Sequence, residues 1–403
     1  MNDKINIEDY NYVLPEDRIA QTPLPDRASS KLLIYNKGDI SDSYFGNIAD
    51  YIPNNSFLIF NNTKVINARI FFKRKTGAKI EIFCLEPIGI GIEKVFEKTD
   101  ECIWNCMVGN ASKWKNEILE KTFTIGEKTI GLKAEKTKIT EDGFIIKFNW
   151  NGGYSFSEVM HEAGSTPLPP YIKRKAELSD EKRYQTVFAE IEGSVAAPTA
   201  GLHFTKDVLI NLKNKNVFYD FITLNVGAGT FKPVKTNDIH EHKMHREIFT
   251  VKKSFINNLL LYANSSKVAV GTTSVRTIES LYWLGVLPNK VENDNFVLEQ
   301  WEVYDYMESD LPEIKNAFEN LIKWMDIKGV DYIEGSTSLM IVPGYKFKVV
   351  DSLITNFHLP SSTLLLLVSA FAGQDWKKIY DYALENDFRF LSYGDSSIII
   401  PKS

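Results

Sequence analysis

Histidine is the side chain whose charge changes near neutral pH, and five of the six here fall in polar or turn-rich runs. His203 closes GSVAAPTAGLHF (Gly193–Phe204), an uncharged stretch of small residues that would let a ligand approach the backbone. That stretch reads as an ordered loop wrapped around a ligand, or else as a tight turn around a hydrogen-bonded core histidine. His358 lies in TNFHLPSST, and His240, His242 and His245 cluster in HEHKMHRE with Glu241 and Glu247. His161 sits among ordinary helix residues and is given no role. Imidazoles beside carboxylates suit zinc or iron, so a metal-dependent hydrolase is one reading of HEHKMHRE. Its HxHxxH spacing is not HExxH, and on a helix His240 would not share the face of His242 and His245. The preferred expectation is therefore metal-free acid–base work or substrate orientation.

Two further runs could bind anions or approach a ligand closely. VGAGTFKPV (Val226–Val234) offers the amides of Gly227 and Gly229 but lacks the third glycine of a dinucleotide fingerprint. In GTTSVRT a strand delivers Thr272, Thr273 and Ser274 to a helix start, where free amides attract carboxylate or phosphate, with Arg276 placed for a bidentate contact. Basic side chains collect in two places. Arg69, Lys73, Arg74 and Lys75 lie between Lys64 and Lys79 with no acid among them, and Lys173, Arg174 and Lys175 form a second run. Such runs are solvated faces or hold a phosphate backbone.

These groups must be held by a sizeable scaffold. At 403 residues, 44% hydrophobic and 25% charged, the chain has the composition of an ordinary globular protein with two or three domains. A formal net charge of -5 does not suggest a nucleic-acid binder, although a local basic face is compatible with it. Cys84, Cys102 and Cys106 are too few and wrongly spaced for a disulfide framework or zinc knuckle, and read as buried, reduced thiols in a cytoplasmic protein. The first residues, MNDKINIEDY, lack the apolar run of a signal peptide, and Leu364–Val368 is too short to span a bilayer.

Lys31–Tyr35 and Ser56–Phe60 read as early strands. From Lys64 to Asn151 the apolar period becomes two: Ile80/Ile82/Cys84, Cys102/Trp104/Cys106/Val108 and Phe144/Ile146/Phe148/Trp150 each line one face. That predicts a small antiparallel β-barrel or sandwich over 64–151, with Asn151-Gly152-Gly153 as its exit hinge. The flanking segments, 1–63 and 152–403, predict one discontinuous α/β domain. Its expected elements include helices at Lys206–Lys213, after Gly271 and at Thr363–Ala372, and strands at Val217–Val226, Lys267–Val270, Val349–Ile354 and Ser396–Ile400. The acidic stretch 288–335, with Ile314, Ala317, Phe318, Leu321 and Ile322 at helical spacing behind Pro312, reads as an inserted subdomain.

The runs IAQTPLPDR, GSVAAPTAGLHF, NVGAGTFKPV, EHKMH, VGTTSVRTIES, PGYKFKVVDSLITNFHLPSSTLLLLVSAFAG and FRFLSYGDSS closely resemble the S-adenosylmethionine:tRNA ribosyltransferase-isomerase family of queuosine biosynthesis. Asn61–Val65 (NNTKV) departs from the family's NDTRV, and RASSKLL from its RDxSRLL; Lys64 and Lys31 keep the charge but lose the planar fork of arginine. The resemblance implies a main α/β domain with an early inserted β-barrel, no cofactor and no metal. It also implies transfer and isomerisation of the ribosyl part of S-adenosylmethionine onto 7-aminomethyl-7-deazaguanine at the tRNA wobble position. Adenine and methionine leave, and epoxyqueuosine tRNA results.

On that reading His203, His245 and His358 are the candidate proton-transfer groups. Thr199, Gly201, Gly227, Gly229, Thr230, His242, Asn356 and Tyr393 are candidates for substrate contact, with Thr272, Thr273, Ser274 and Arg276 for the methionine carboxylate. Asp395 is the candidate for an amine, and Phe204, Phe231 and Phe357 for stacking on a base. The partners implied are S-adenosylmethionine and the precursor tRNA, the latter on Arg69, Lys73, Arg74, Lys75, Lys173, Arg174 and Lys175. A monomer away from membranes is expected.

Overall fold

A computed structural model describes residues 4–89, 91–140, 143–227, 234 and 236–402. The chain enters through β1 (Lys31–Asn36) and β2 (Asp39–Tyr44), an antiparallel hairpin that turns at Lys37-Gly38, both with positive φ. Four consecutive buried residues in β1 and the wholly buried β3 (Ser56–Asn61) mark strands covered on both faces. β4 (Thr63–Val65) then leads out of the main body.

The next strands are β5 (Arg69–Lys73), β6 (Lys79–Pro87), β7 (Glu101–Gly109), β8 (Leu119–Ile125), β9 (Lys128–Ile139) and β10 (Phe144–Trp150). Short α1 (Ile92–Phe96) links β6 to β7, and β10 is followed by α2 (Phe156–Ala163) and β11 (Gly164–Ser165). They form a curled antiparallel sheet in the order β11-β5-β6-β7-β10-β9-β8. Alternation is the cause: Ile80, Ile82, Cys84, Trp104, Cys106, Ile146 and Phe148 all bury on one face. All three cysteines are free and buried there. Among the described residues no ladder joins β11 to β8, so hydrogen bonding does not close the sheet into a ring. Gly152-Gly153 is not its exit. Ser155 caps α2 with a capping box to Glu158, and Phe156, Val159, Met160 and Ala163 plug this sheet's core.

The chain returns through α3 (Leu178–Arg183) and β12 (Ile191–Ser194), which lies parallel to β4. Then come α4 (Lys206–Asn214), β13 (Phe218–Leu224), β14 (Glu247–Lys252), α5 (Lys253–Leu261), β15 (Ser266–Val270) and α6 (Thr272–Val286). The rest is α7 (Pro288–Glu292), β16 (Val297–Leu298), α8 (Ile314–Lys328), β17 (Tyr332–Thr337), β18 (Ser352–Asn356), α9 (Thr363–Ala372), α10 (Trp376–Glu385) and β19 (Ser396–Ile400). The ten-stranded mixed sheet runs β16-β17-β14-β13-β3-β15-β18-β19-β1-β2, its centre β13-β3-β15-β18 parallel.

Two expectations change here. The stretch 288–335 is not a subdomain apart: β17 pairs with β14, and Ala317, Phe318, Leu321 and Met325 of α8 belong to the main core. A side chain at Gly285 of α6 would put a Cβ 2.2 Å from the Ala317 carbonyl oxygen, so the two helices meet backbone to backbone. β18 starts at Ser352 rather than Val349. The buried Glu279 carboxylate takes the amides of Lys348, Val349 and Val350 at 2.8–3.0 Å and holds them off the sheet. No helix among the described residues is long and apolar enough to cross a membrane.

Candidate active site

Neighbouring parallel strands β15 and β18 end at the same edge, the place where open α/β sheets collect ligands. After β15, Gly271 turns with φ 93° and α6 begins, bringing Thr272 and Thr273 forward. From the last residue of β18 the chain supplies Asn356, then Phe357, His358, Leu359, Pro360 and Ser362 before α9. A turn at Thr199–His203 brings Ala196–Ala200 across from them. Together with Tyr171, Leu391 and Ser392 they enclose a cleft of about 90 Å³.

The cleft is nearly free of charge. His358 is buried, its Nε2 3.0 Å from Thr355 Oγ1 and its amide donating to the Tyr380 hydroxyl at 3.1 Å. Burial pushes its pKa down to about 3. His203 lies just behind the wall, with Nδ1 2.8 Å from Ser30 Oγ and the ring against Phe45. Its pKa also falls to about 3, through burial first and then through Arg389 and Arg27; the Asn356 side chain opposes this. Both imidazoles are thus neutral at pH 7 and have a lone pair to offer rather than a proton charge to give. Thr273 Oγ1 is buried here with no hydrogen-bond partner, while the His203 ring and the Asn356 side chain face each other as a polar pair. Orphaned polar atoms of this kind are costly in a folded chain and mark a place where a ligand can complete the network.

Of the sequence candidates, Thr199, Thr272, Thr273, Asn356, Phe357 and His358 line the cleft. Others are committed elsewhere. Arg276 is buried against Glu247 and donates to the Leu339 carbonyl, so its fork is used inside the protein rather than on a substrate anion. Ser274 donates back to the Val270 carbonyl at 2.8 Å. Phe204 packs edge-on against Phe45 and Phe60 in the core, with no face for a base. Phe357 borders the cleft, but its ring packs among Tyr380, Phe388 and Phe390. Asp395 accepts the amides of Lys31 and Arg389 at 3.0 and 2.7 Å, and Tyr393 donates to Asp180 at 2.8 Å. Gly201 faces Thr186 and Phe188 rather than the cleft.

Gly227 is described but does not line the cleft, whereas Gly229, Thr230 and Phe231 lie outside the described residues. His240 sits on Trp301 with Nδ1 2.9 Å from Asp238. His242 is half-buried, its pKa lowered by burial and then by His245, which is exposed. Among the described residues no three His, Cys, Asp or Glu side chains converge as a metal site, which disfavours the hydrolase alternative. Sequence reasoning missed Tyr171, whose phenol is pushed up by burial, and the Leu391–Ser392 wall, where Leu391 holds φ 70°. A non-glycine residue in that region is strained, and the strain sits beside the cleft.

A second concavity, of about 780 Å³, runs between the small sheet and the segment 165–176. Arg69, Lys73, Lys79, Lys173, Arg174 and Lys175 line it, so two basic runs a hundred residues apart in sequence share one groove. Arg69 pairs with Glu81, Lys173 with Glu16 and Arg174 with Asp180. Lys73, Lys79 and Lys175 have no acid partner among the described residues. Arg74 turns away to Glu117, and Arg74 and Lys75 lie outside the groove.

The whole is a mixed α/β protein with a nearly uncharged cleft at its strand ends and a separate cationic groove. The chain belongs to the queuosine biosynthesis protein family, whose model matches residues 7–399. It is 38% identical over 405 residues to the S-adenosylmethionine:tRNA ribosyltransferase-isomerase of Finegoldia magna, covering 98% of each chain. It is 37% identical to the protein of the same name from Halothermothrix orenii, covering 98% of this chain and 100% of that one. A crystal structure of S-adenosylmethionine tRNA ribosyltransferase from Thermotoga maritima is similar, at 28% identity and a TM-score of 0.46, covering 97% of this chain and 99% of that one.

Proposed function

We propose that this protein transfers and isomerises the ribosyl part of S-adenosylmethionine onto 7-aminomethyl-7-deazaguanine at the tRNA wobble position, releasing adenine and methionine. The observation that carries the reading is the composition of the cleft. The family-like runs around Ala196–Ala200, Gly271–Thr273, Thr355–Ser362 and Leu391–Ser392 meet there, far apart in sequence and together in space.

The chemistry suits such a site. A sulfonium acidifies the adjacent ribose carbon, which calls for a base, and adenine leaves more readily once its ring is protonated. His358 in the wall and His203 behind it are the proposed proton carriers, both held neutral by burial. Thr199, Thr272, Thr273 and Asn356 are the proposed substrate contacts, while His242 and His245 stand outside the cleft. At about 90 Å³ the cleft takes part of S-adenosylmethionine, and the remainder extends from it.

The groove with Lys73, Lys79 and Lys175 is the proposed tRNA face. The curled sheet would serve as the inserted barrel domain, a reading supported by its separate apolar core. No resident cofactor enters the reaction, and a cytoplasmic monomer fits these substrates. Incubation with S-adenosylmethionine and tRNA bearing the deazaguanine precursor tests the proposal. Adenine release dependent on both substrates is expected; no adenine from fully precursor-loaded tRNA would contradict it.

A further inference from the structure

Ser392 belongs to two cavities, the cleft and a smaller one of about 20 Å³ that also touches Arg27, Arg183, His203 and Arg389. Three guanidiniums converge there with little carboxylate to balance them. Arg27 donates to the carbonyls of Leu202 and Lys182 at 2.9 and 2.7 Å. Arg183 donates to those of Pro25 and Leu24 at 2.7 and 2.5 Å, and its Nε is buried with no partner. Carbonyl oxygens aim a guanidinium without neutralising it. Asp395 meets Arg389 at 3.4 Å while taking two backbone amides, and Asp180 is occupied by Arg174 and Tyr393. Crowding is visible in the Arg27 guanidinium, pushed down to about 10 by burial and then by Arg183. An anion in the cavity would relieve it.

We propose that Arg27, Arg183 and Arg389 form an oxyanion site at the rim of the cleft, and that its ligand is one phosphodiester of an RNA backbone. The cavity admits the oxygens of such a group but not a nucleoside. All three arginines are partly exposed, so the ester arms can remain in solvent. Two equivalent oxygens with one negative charge match the planar arginine fork. A carboxylate offers the same two oxygens, and the ligand's identity, though not the oxyanion chemistry, rests on the function proposed above.

Inorganic phosphate titrated into the free full-length protein tests the site without assuming any reaction. Calorimetry should show phosphate binding in the wild type, on the order of tenfold weaker in Arg183→Gln and Arg389→Gln. Arg389→Gln is the safer variant for folding, because among the described residues its side chain makes a single long hydrogen bond, at 3.4 Å to Asp395; unchanged melting temperature without phosphate verifies this. Precursor tRNA and S-adenosylmethionine are then titrated separately. Weaker tRNA binding with a salt slope smaller by about 0.7, and unchanged S-adenosylmethionine affinity, supports the phosphodiester. Weaker S-adenosylmethionine binding with tRNA unaffected overturns the RNA assignment and gives the site to a carboxylate. Binding of phosphate, tRNA and S-adenosylmethionine equal to wild type in both variants overturns the site itself.

Discussion

The cleft and the groove solve opposite problems with opposite materials. The cleft is small, buried and almost uncharged, and its polar atoms are either tied to neighbours or, like Thr273 Oγ1, left without a partner. The groove is wide and cationic, and three of its lysines lack an acid partner among the described residues. Chemistry on a small ligand needs fixed groups of tuned basicity, whereas a polyanion needs positive charge spread along its path. On the proposed function, an acidic protein would hold RNA by meeting the two requirements in different places.

The comparison breaks most readily at the cleft. His358→Ala is expected to lower turnover by about 10²–10⁴ with tRNA affinity unchanged, the range for loss of a general acid or base. Steady-state adenine release, with circular dichroism to verify folding, reads this out. Normal turnover would make His358 a core histidine. In the groove, replacing Lys73, Lys79 and Lys175 together by Ala should weaken tRNA binding and reduce the slope of log affinity against log salt by about 2, at roughly 0.7–0.9 per phosphate contact. Affinity for S-adenosylmethionine should stay put. An unaltered salt slope would leave these lysines as a solvated face.

A smaller effect separates the regions by pH. His203 and His358 have folded pKa values near 3 against about 6.5 in the unfolded chain, so the unfolded state takes up protons first. The stability their neutral burial contributes is present above pH 6.5 and is lost as pH falls toward 3. Each contributes a slope of up to ~1.4 kcal/mol per pH unit in that window. Urea unfolding at pH 7 and pH 5 should show this loss, reduced in His358→Gln and unchanged in the lysine variant. Equal stability at both pH values would place the histidines in solvent.

Periodicity made the scaffold readable. β19 and α9 fall at the predicted residues, and the period of two marked β6, β7 and β10 because each buries one face only. The apolar stripe of α8 was legible, but the acidic surface of 288–335 suggested a unit apart rather than a helix packed on α6 in the main core, and three backbone amides bound by Glu279 delayed β18. At the site, motif membership was legible but orientation was not. Thr273 and Ser274 are adjacent, yet one faces the cleft and the other bonds to Val270. Arg276 and Asp395 looked available because charge suggests solvent, but partners distant in sequence claim both. Tyr171 went unseen beside its basic neighbours, as did Leu391, whose role comes from a backbone angle rather than a reactive group.

Hydrogen–deuterium exchange with one substrate at a time tests the division of labour most directly. S-adenosylmethionine alone should protect 196–200, 271–274 and 355–362 and leave 69–79 and 169–176 exchanging as in the free protein. Precursor tRNA alone should protect the groove segments. Protection of the groove by S-adenosylmethionine, with the cleft segments exchanging freely, would contradict the account.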